Sequence, residues 1–126
     1  MDIRRKLEKD LNKWKASPTR NPLIIYGARQ VGKTYLINDV WGKENFKKVI
    51  RIDLRNDVEA RKLIKNYPNP KKIMEYLSLR FGTEINKDTL LFFDEIQEAI
   101  QILTAAKYFS ENHKEIPVIM TGSLVR

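Results

Sequence analysis

The sequence predicts an α/β domain in three layers: a mainly parallel sheet with helices on both faces. Three observations predict it. Short apolar runs alternate with helical segments in the order β-α-β-α-α-β-α-β after a leading helix, the pattern of a parallel sheet. One run, Leu90-Leu91-Phe92-Phe93, is apolar without interruption, as a strand buried on both faces must be. Between the first run and the helix after it lies a loop with a glycine at each end, Gly27 and Gly32, followed by Lys33 and Thr34.

The 126 residues make one domain, large enough for a real core. With 42% hydrophobic and 32% charged residues the chain is globular rather than disordered. No apolar run approaches the ~18 residues of a membrane span, and the charged N-terminus is unlike a secretory signal. Cysteine is absent, which excludes a disulfide framework and a thiolate metal site. A cytoplasmic protein with no membrane partner is the expectation. His113, in a polar stretch, reads as a solvated loop residue. The net charge of +8 favours polyanions, nucleotide or nucleic acid, but the basic residues are spread along the chain.

Residues 2–16 place Ile3, Leu7, Leu11 and Trp14 on one helical stripe, with Asp2 as N-cap and Ser17-Pro18 as the stop. The helix is expected to pack beside the first strand, Leu23–Tyr26. The polar lead-in 17–22 offers Arg20 or Asn21 to a nucleotide base. After the glycine loop a helix runs from about Gly32 to Val40, with Tyr35, Leu36 and Val40 toward the sheet and Trp41-Gly42 ending it. Residues 46–54 read as the second strand. Helices follow over 57–67 and, from the cap Asn69-Pro70, to about Arg80. Thr89–Glu95 is the third strand, 97–112 a helix, and 117–123 a fourth strand.

The loop Gly27, Ala28, Arg29, Gln30, Val31, Gly32, Lys33, Thr34 fits the phosphate-binding P-loop at every fixed position, between a strand and a helix as the mechanism requires. By accident it would arise in about one in several hundred chains of this length. The glycines let successive N–H groups turn inward to phosphate oxygens, and the helix adds the positive end of its dipole. Lys33 reaches the β- and γ-phosphates, the Thr34 hydroxyl is placed for Mg²⁺, and Tyr35 completes the nucleotide-contacting segment. Asp94 and Glu95 close the third strand at its C-terminal end, where ligands bind in open α/β sheets. Asp94 would hold Mg²⁺, and Glu95 would orient or deprotonate an attacking water. Ser123, or failing that Thr121, would sense the γ-phosphate or that water.

Nearly the whole chain resembles the AAA+-like ATPases of bacteria and archaea that carry a P-loop domain followed by a C-terminal domain of unknown function. Trp14 on the first helix, Arg20-Asn21-Pro22, the loop with Arg29 and Gln30, Leu90–Glu98 as a Walker B strand, Ala106–Glu111 and Thr121–Leu124 as a sensor strand carry the likeness. The resemblance implies a P-loop NTPase fold with sheet order 1-4-3-2, ATP binding with Mg²⁺, and hydrolysis. It also implies a fifth strand, a helical lid and a C-terminal domain beyond Arg126, parts that supply an arginine finger or second sensor. The expectation is therefore an ATPase core over 1–126, with helix 2–16 and a nucleotide-binding core over 22–126 truncated after the sensor strand. Leu23–Tyr26 would then be an exposed apolar edge, covered by a second copy, another chain or the N-terminal helix.

Four functions compete: a slow ATPase, a nucleotide-dependent switch or assembly module with negligible turnover, a nucleic-acid-binding protein, and a small-molecule kinase. The last fits least, because Glu95 beside Asp94 suits water activation better than recognition of an acceptor hydroxyl.

Overall fold

The computed structural model describes residues 3–27 and 32–123. The N-cap expected at Asp2, the loop residues Ala28, Arg29, Gln30 and Val31, and Leu124 lie outside the described residues.

Four parallel strands, β1 (Leu23–Tyr26), β2 (Lys48–Asp53), β3 (Thr89–Asp94) and β4 (Val118–Gly122), lie in the order β1-β4-β3-β2. This is the predicted order. Every residue of the inner strands β3 and β4 is buried. Successive side chains point to opposite faces, so Leu91, Phe93, Val118 and Met120 enter one core while Leu90, Phe92 and Ile119 enter another. The edge strands alternate instead: Ile50 and Ile52 of β2 are buried, while Ile24 and Tyr26 of β1 are exposed.

The first core is closed by α4 (Val58–Asn66), α5 (Pro70–Phe81) and α6 (Ile102–Asn112), through Ala60, Ile64, Ile73, Leu77, Ala105 and Phe109. Local chemistry sets their ends. Asp57 accepts from the Ala60 N–H at 3.1 Å, and Asn69 accepts from the Lys72 N–H at 3.2 Å ahead of Pro70. Gly82, at φ 61°, closes α5 in the left-handed conformation that a residue without Cβ adopts freely. The helix expected over 97–112 is divided: a 3₁₀ turn, Ile96–Ala99, precedes α6.

The second core lies under α1 (Ile3–Ala16) and the helical run after the glycine loop. Leu11 is fully buried and Leu7 and Trp14 partly so, but Ile3, at the head of the predicted stripe, is 62% exposed. The Trp14 and Trp41 rings meet at 6.3 Å. Both indole N–H groups are satisfied, Trp14 donating to the Asn21 carbonyl at 2.6 Å and Trp41 to Asn12 Oδ1 at 2.8 Å. A buried indole needs such a partner. Ile3 and Leu7 of α1 line a shallow cavity with Ile25 and Tyr26, so the helix lies beside β1 as expected.

The helical run differs from expectation. It comprises α2 (Lys33–Tyr35), a π-helical segment (Leu36–Trp41) and α3 (Gly42–Asn45), so it does not stop at Trp41-Gly42. Gly42 is helical at φ −60° and donates its N–H to the Ile37 carbonyl, five residues back. The wider turn rotates the buried face onto Leu36, Ile37 and Trp41, and leaves Tyr35 59% exposed rather than facing the sheet. It also explains the glycine: a Cβ at position 42 would run into the Ile37 carbonyl oxygen and approach Val49 Cγ2 at 3.1 Å.

In an ordinary helix interior Gly→Ala stabilises by about 1 kcal/mol. At Gly42 the sign should reverse, with a loss of about 1–3 kcal/mol from overpacking. Urea unfolding midpoints of wild type and Gly42→Ala check this; a raised midpoint would refute the packing argument.

Candidate functional site

Along the face of the sheet toward α1 and α2, each strand is apolar at its start. Leu23 and Ile25, Ile119, Leu90 and Phe92, and Val49 all belong to or flank the second core. Toward the C-terminal ends the same face turns polar, with Thr121 on β4, Asp94 on β3 and Arg51 and Asp53 on β2. The registers Ile25↔Thr121, Arg51↔Phe92 and Asp53↔Asp94 align these residues across the sheet. The start of α2 faces this polar end.

Asp94 is 5% exposed, and donors surround it. Its Oδ1 accepts from Thr121 Oγ1 at 2.6 Å and from the Glu95 N–H at 3.0 Å. Its Oδ2 accepts from Thr34 Oγ1 at 3.0 Å, Arg51 Nη2 at 2.8 Å and Arg51 Nε at 3.2 Å. Burial pushes the carboxyl up, but the hydrogen bonds from Thr121, Arg51 and Thr34, with the Arg51 charge, outweigh it and hold the group below its usual range.

Glu95 follows in the left-handed conformation, φ 60° and ψ 49°, the only non-glycine residue with positive φ among those described. Such backbone costs of order 1 kcal/mol or more. Glu95 Oε1 accepts from Gln97 Nε2 at 2.7 Å and faces Arg55 Nη2 at 3.6 Å. Gln97 Oε1 in turn accepts from the Ser123 N–H at 3.2 Å. A carboxylate on one side and an N–H on the other fix which way the amide points. Gly122 makes room for this bridge, since a Cβ there would lie 2.8 Å from Ile96 Cγ1 and 3.2 Å from Gln97 Oε1.

Gly27, Lys33, Thr34, Asp94, Glu95 and Ser123 line one cavity together with Thr121 and Gly122. The predicted site residues that lie in the described segments thus converge, Gly32 and Tyr35 excepted. Thr121, second choice for a sensor, has its hydroxyl engaged by Asp94 beneath the cavity, whereas Ser123 stands at its wall. Gly32, at φ 95°, supplies the left-handed turn into α2, and its carbonyl accepts the Leu36 N–H at 2.8 Å. Arg20 and Asn21, expected near a base, are engaged elsewhere. Arg20 lies over the Trp14 ring at 5.4 Å, and Asn21 Oδ1 accepts from Ser110 Oγ at 2.7 Å.

Sequence reading missed Arg51, Arg55 and Gln97. Arg51 had a signal: in Lys48–Asp53 the apolar residues Ile50 and Ile52 alternate with it, which puts it on the same face as Asp53. Gln97 had none beyond its place two residues after Glu95.

The adjacent Thr34 hydroxyl and Asp94 carboxylate are hard oxygen donors. That set suits Mg²⁺, which takes one or two protein oxygens and fills its shell with phosphate and water. Among the described residues no group of three or more His, Cys, Asp or Glu offers an all-protein metal cage. No described helix is long and apolar enough to cross a membrane.

The Asp94 shell has a pH consequence. Its folded value lies below the ordinary 3.8, so its stabilisation is complete at neutral pH and is lost as pH falls through the folded value. Urea unfolding between about pH 5 and pH 2 should show wild type losing more stability than Asp94→Asn. At neutral pH the variant should be less stable by about 1–3 kcal/mol, because Arg51 loses its partner but can still reach water. Parallel curves for the two proteins would contradict this account.

Comparison with known proteins agrees with the fold. Among solved structures the chain is similar to AMPPCP-bound DnaA from Aquifex aeolicus, with a TM-score of 0.51 and 17% identity. The match covers 95% of this chain and 37% of that one, so the chain spans little more than a third of that protein's length. At this identity the likeness speaks for the fold alone. No curated protein sequence matches the chain. The sequence profile of the AAA domain family matches residues 19–126, which hold all four strands and the cavity. The chain belongs to the AAA domain family, and its sheet is that of an AAA+-like P-loop ATPase core.

Proposed function

We propose that the chain binds Mg·ATP through the Gly27–Thr34 loop and hydrolyses it slowly, with Asp94 and Glu95 as the acidic pair. The observation that carries this reading is the meeting of Thr34 and Asp94 at 3.0 Å from positions 60 residues apart, at a cavity that Lys33, Glu95 and Ser123 also line. The fold of the AAA domain family supports it.

In this reading the N–H groups of the loop and the start of α2 cradle the β- and γ-phosphates, and Lys33 neutralises their charge. Thr34 and Asp94 would hold Mg²⁺, which would supply charge stabilisation for the transferring phosphoryl group. Glu95 orients a water for attack on the γ-phosphorus and takes its proton as the bond to ADP breaks. Ser123 holds the γ-phosphate or that water. Basal turnover is slow because, among the described residues, the arginines paired with the acids, Arg51 and Arg55, are engaged by Asp94 and Glu95. An arginine supplied by a second copy or another chain would add about 10³–10⁵ in rate. The whole of 1–126 acts as one unit, working in the cytoplasm.

A second reading is a nucleotide-dependent switch or assembly module. Its support is the engagement of Glu95 by Gln97 and its approach to Arg55, which hold the carboxylate away from the role of base.

Calorimetric titration with ATP, with and without Mg²⁺, should show binding that Lys33→Ala weakens sharply. Phosphate release should fall about 10²–10⁴-fold in Glu95→Gln with binding retained. Equal release by wild type and Glu95→Gln would sink hydrolysis and leave the switch.

A further inference from the structure

Asp94 has no acceptor capacity left. A carboxylate offers about four lone-pair sites on its two oxygens. Here Oδ1 is taken by Thr121 and the Glu95 N–H, and Oδ2 by Thr34 and two N–H groups of Arg51. The oxygen that Arg51 occupies is the one that Thr34 also touches. On the reading above, Thr34 and Asp94 are the two groups that would hold Mg²⁺, so Arg51 already sits on the oxygen they share. A guanidinium on Oδ2 and a divalent ion held by the same carboxylate would be like charges that repel one another.

We infer that Arg51 is a resident cation that competes with Mg²⁺ for Asp94, so that metal binding requires the guanidinium to leave. This deepens the proposed Mg·nucleotide reading and rests on it for the identity of the physiological metal. The geometry supplies a route. Arg51 stands on the edge strand β2 with its side chain 34% exposed, so it can move without repacking either core. A second carboxylate is already in range: Asp53 Oδ2 lies 3.8 Å from the same Nη2 that bonds Asp94 at 2.8 Å. Asp53 is two residues along the same strand and opposite Asp94 in register. The guanidinium therefore passes from one carboxylate to the other by a side-chain swing. In the metal-free protein it neutralises a buried charge that would otherwise oppose folding. In the metal-bound protein Mg²⁺ takes over that task.

A purely structural ion pair would affect stability alone, whereas competition changes metal affinity, so the test reads the metal directly. Mn²⁺ is titrated into the nucleotide-free protein and free ion is followed by electron paramagnetic resonance. Arg51→Gln should bind Mn²⁺ at least about tenfold more tightly than wild type, the order of effect expected for one charge-assisted pair. Arg51→Lys, which keeps the charge but not the two-donor fork, should fall between them and guards against misfolding of the neutral variant. Adding Asp94→Asn to Arg51→Gln should abolish the gain. Asp53→Asn, which removes the alternative partner, should weaken Mn²⁺ binding. Equal Mn²⁺ affinity in wild type, Arg51→Gln and Arg51→Lys, including equally undetectable binding, overturns the inference. Failure of ATP to bind any of these proteins would overturn the nucleotide reading while the Mn²⁺ comparison still decides the role of Arg51.

Discussion

The structure depends on keeping one buried carboxylate ionised. A charge at the position of Asp94 is tolerable only if hydrogen bonds replace the lost water, and no single element can supply them. β4 contributes Thr121, α2 contributes Thr34, β2 contributes Arg51 and the chain's own turn contributes the Glu95 N–H. The order β1-β4-β3-β2 is what makes this arrangement reachable. With β3 between β4 and β2, Thr121 and Arg51 flank Asp94, and α2 brings Thr34 to the same carboxylate. Strand order and site chemistry are one constraint seen at two scales.

The two faces of the sheet divide the work of folding from that of the site. The face covered by α4, α5 and α6 is apolar from Ile50 through Phe93 to Met120 and holds the larger core. The other face is apolar only where Trp14, Trp41 and Phe46 cover it, and becomes polar toward the strand ends. Polar side chains there adjoin a packed apolar floor, with Asp94 and Thr121 themselves buried. The floor holds them in place, while the open side leaves room for a ligand.

Much of this was legible in the sequence, and the exceptions have physical causes. Leu90–Phe93 could be little other than an inner strand, and Gly27–Thr34 between strand and helix located the cavity with Asp94 and Glu95. The strand order came from family resemblance, because nothing in local patterning says which parallel strands are neighbours. The helical run was misjudged at its end. A π turn breaks the 3.6-residue period, so Gly42 looked like a stop when it is a contact, and Tyr35 was assigned to the wrong side. Arg51 was passed over because a charged residue in an edge strand ordinarily faces water. Here it faces a carboxylate two strand positions ahead of it, a pairing visible only once β2 lies beside β3.

The left-handed backbone at Glu95 bears on how this protein would respond to laboratory evolution. At φ 60° a glycine or asparagine relieves the strain that a longer side chain incurs, so either should raise stability at this position. A library screened for heat tolerance alone would thus drift toward losing the carboxylate at the cavity wall. Stabilising campaigns on this fold need position 95 held constant, or a screen that reads ligand as well as melting.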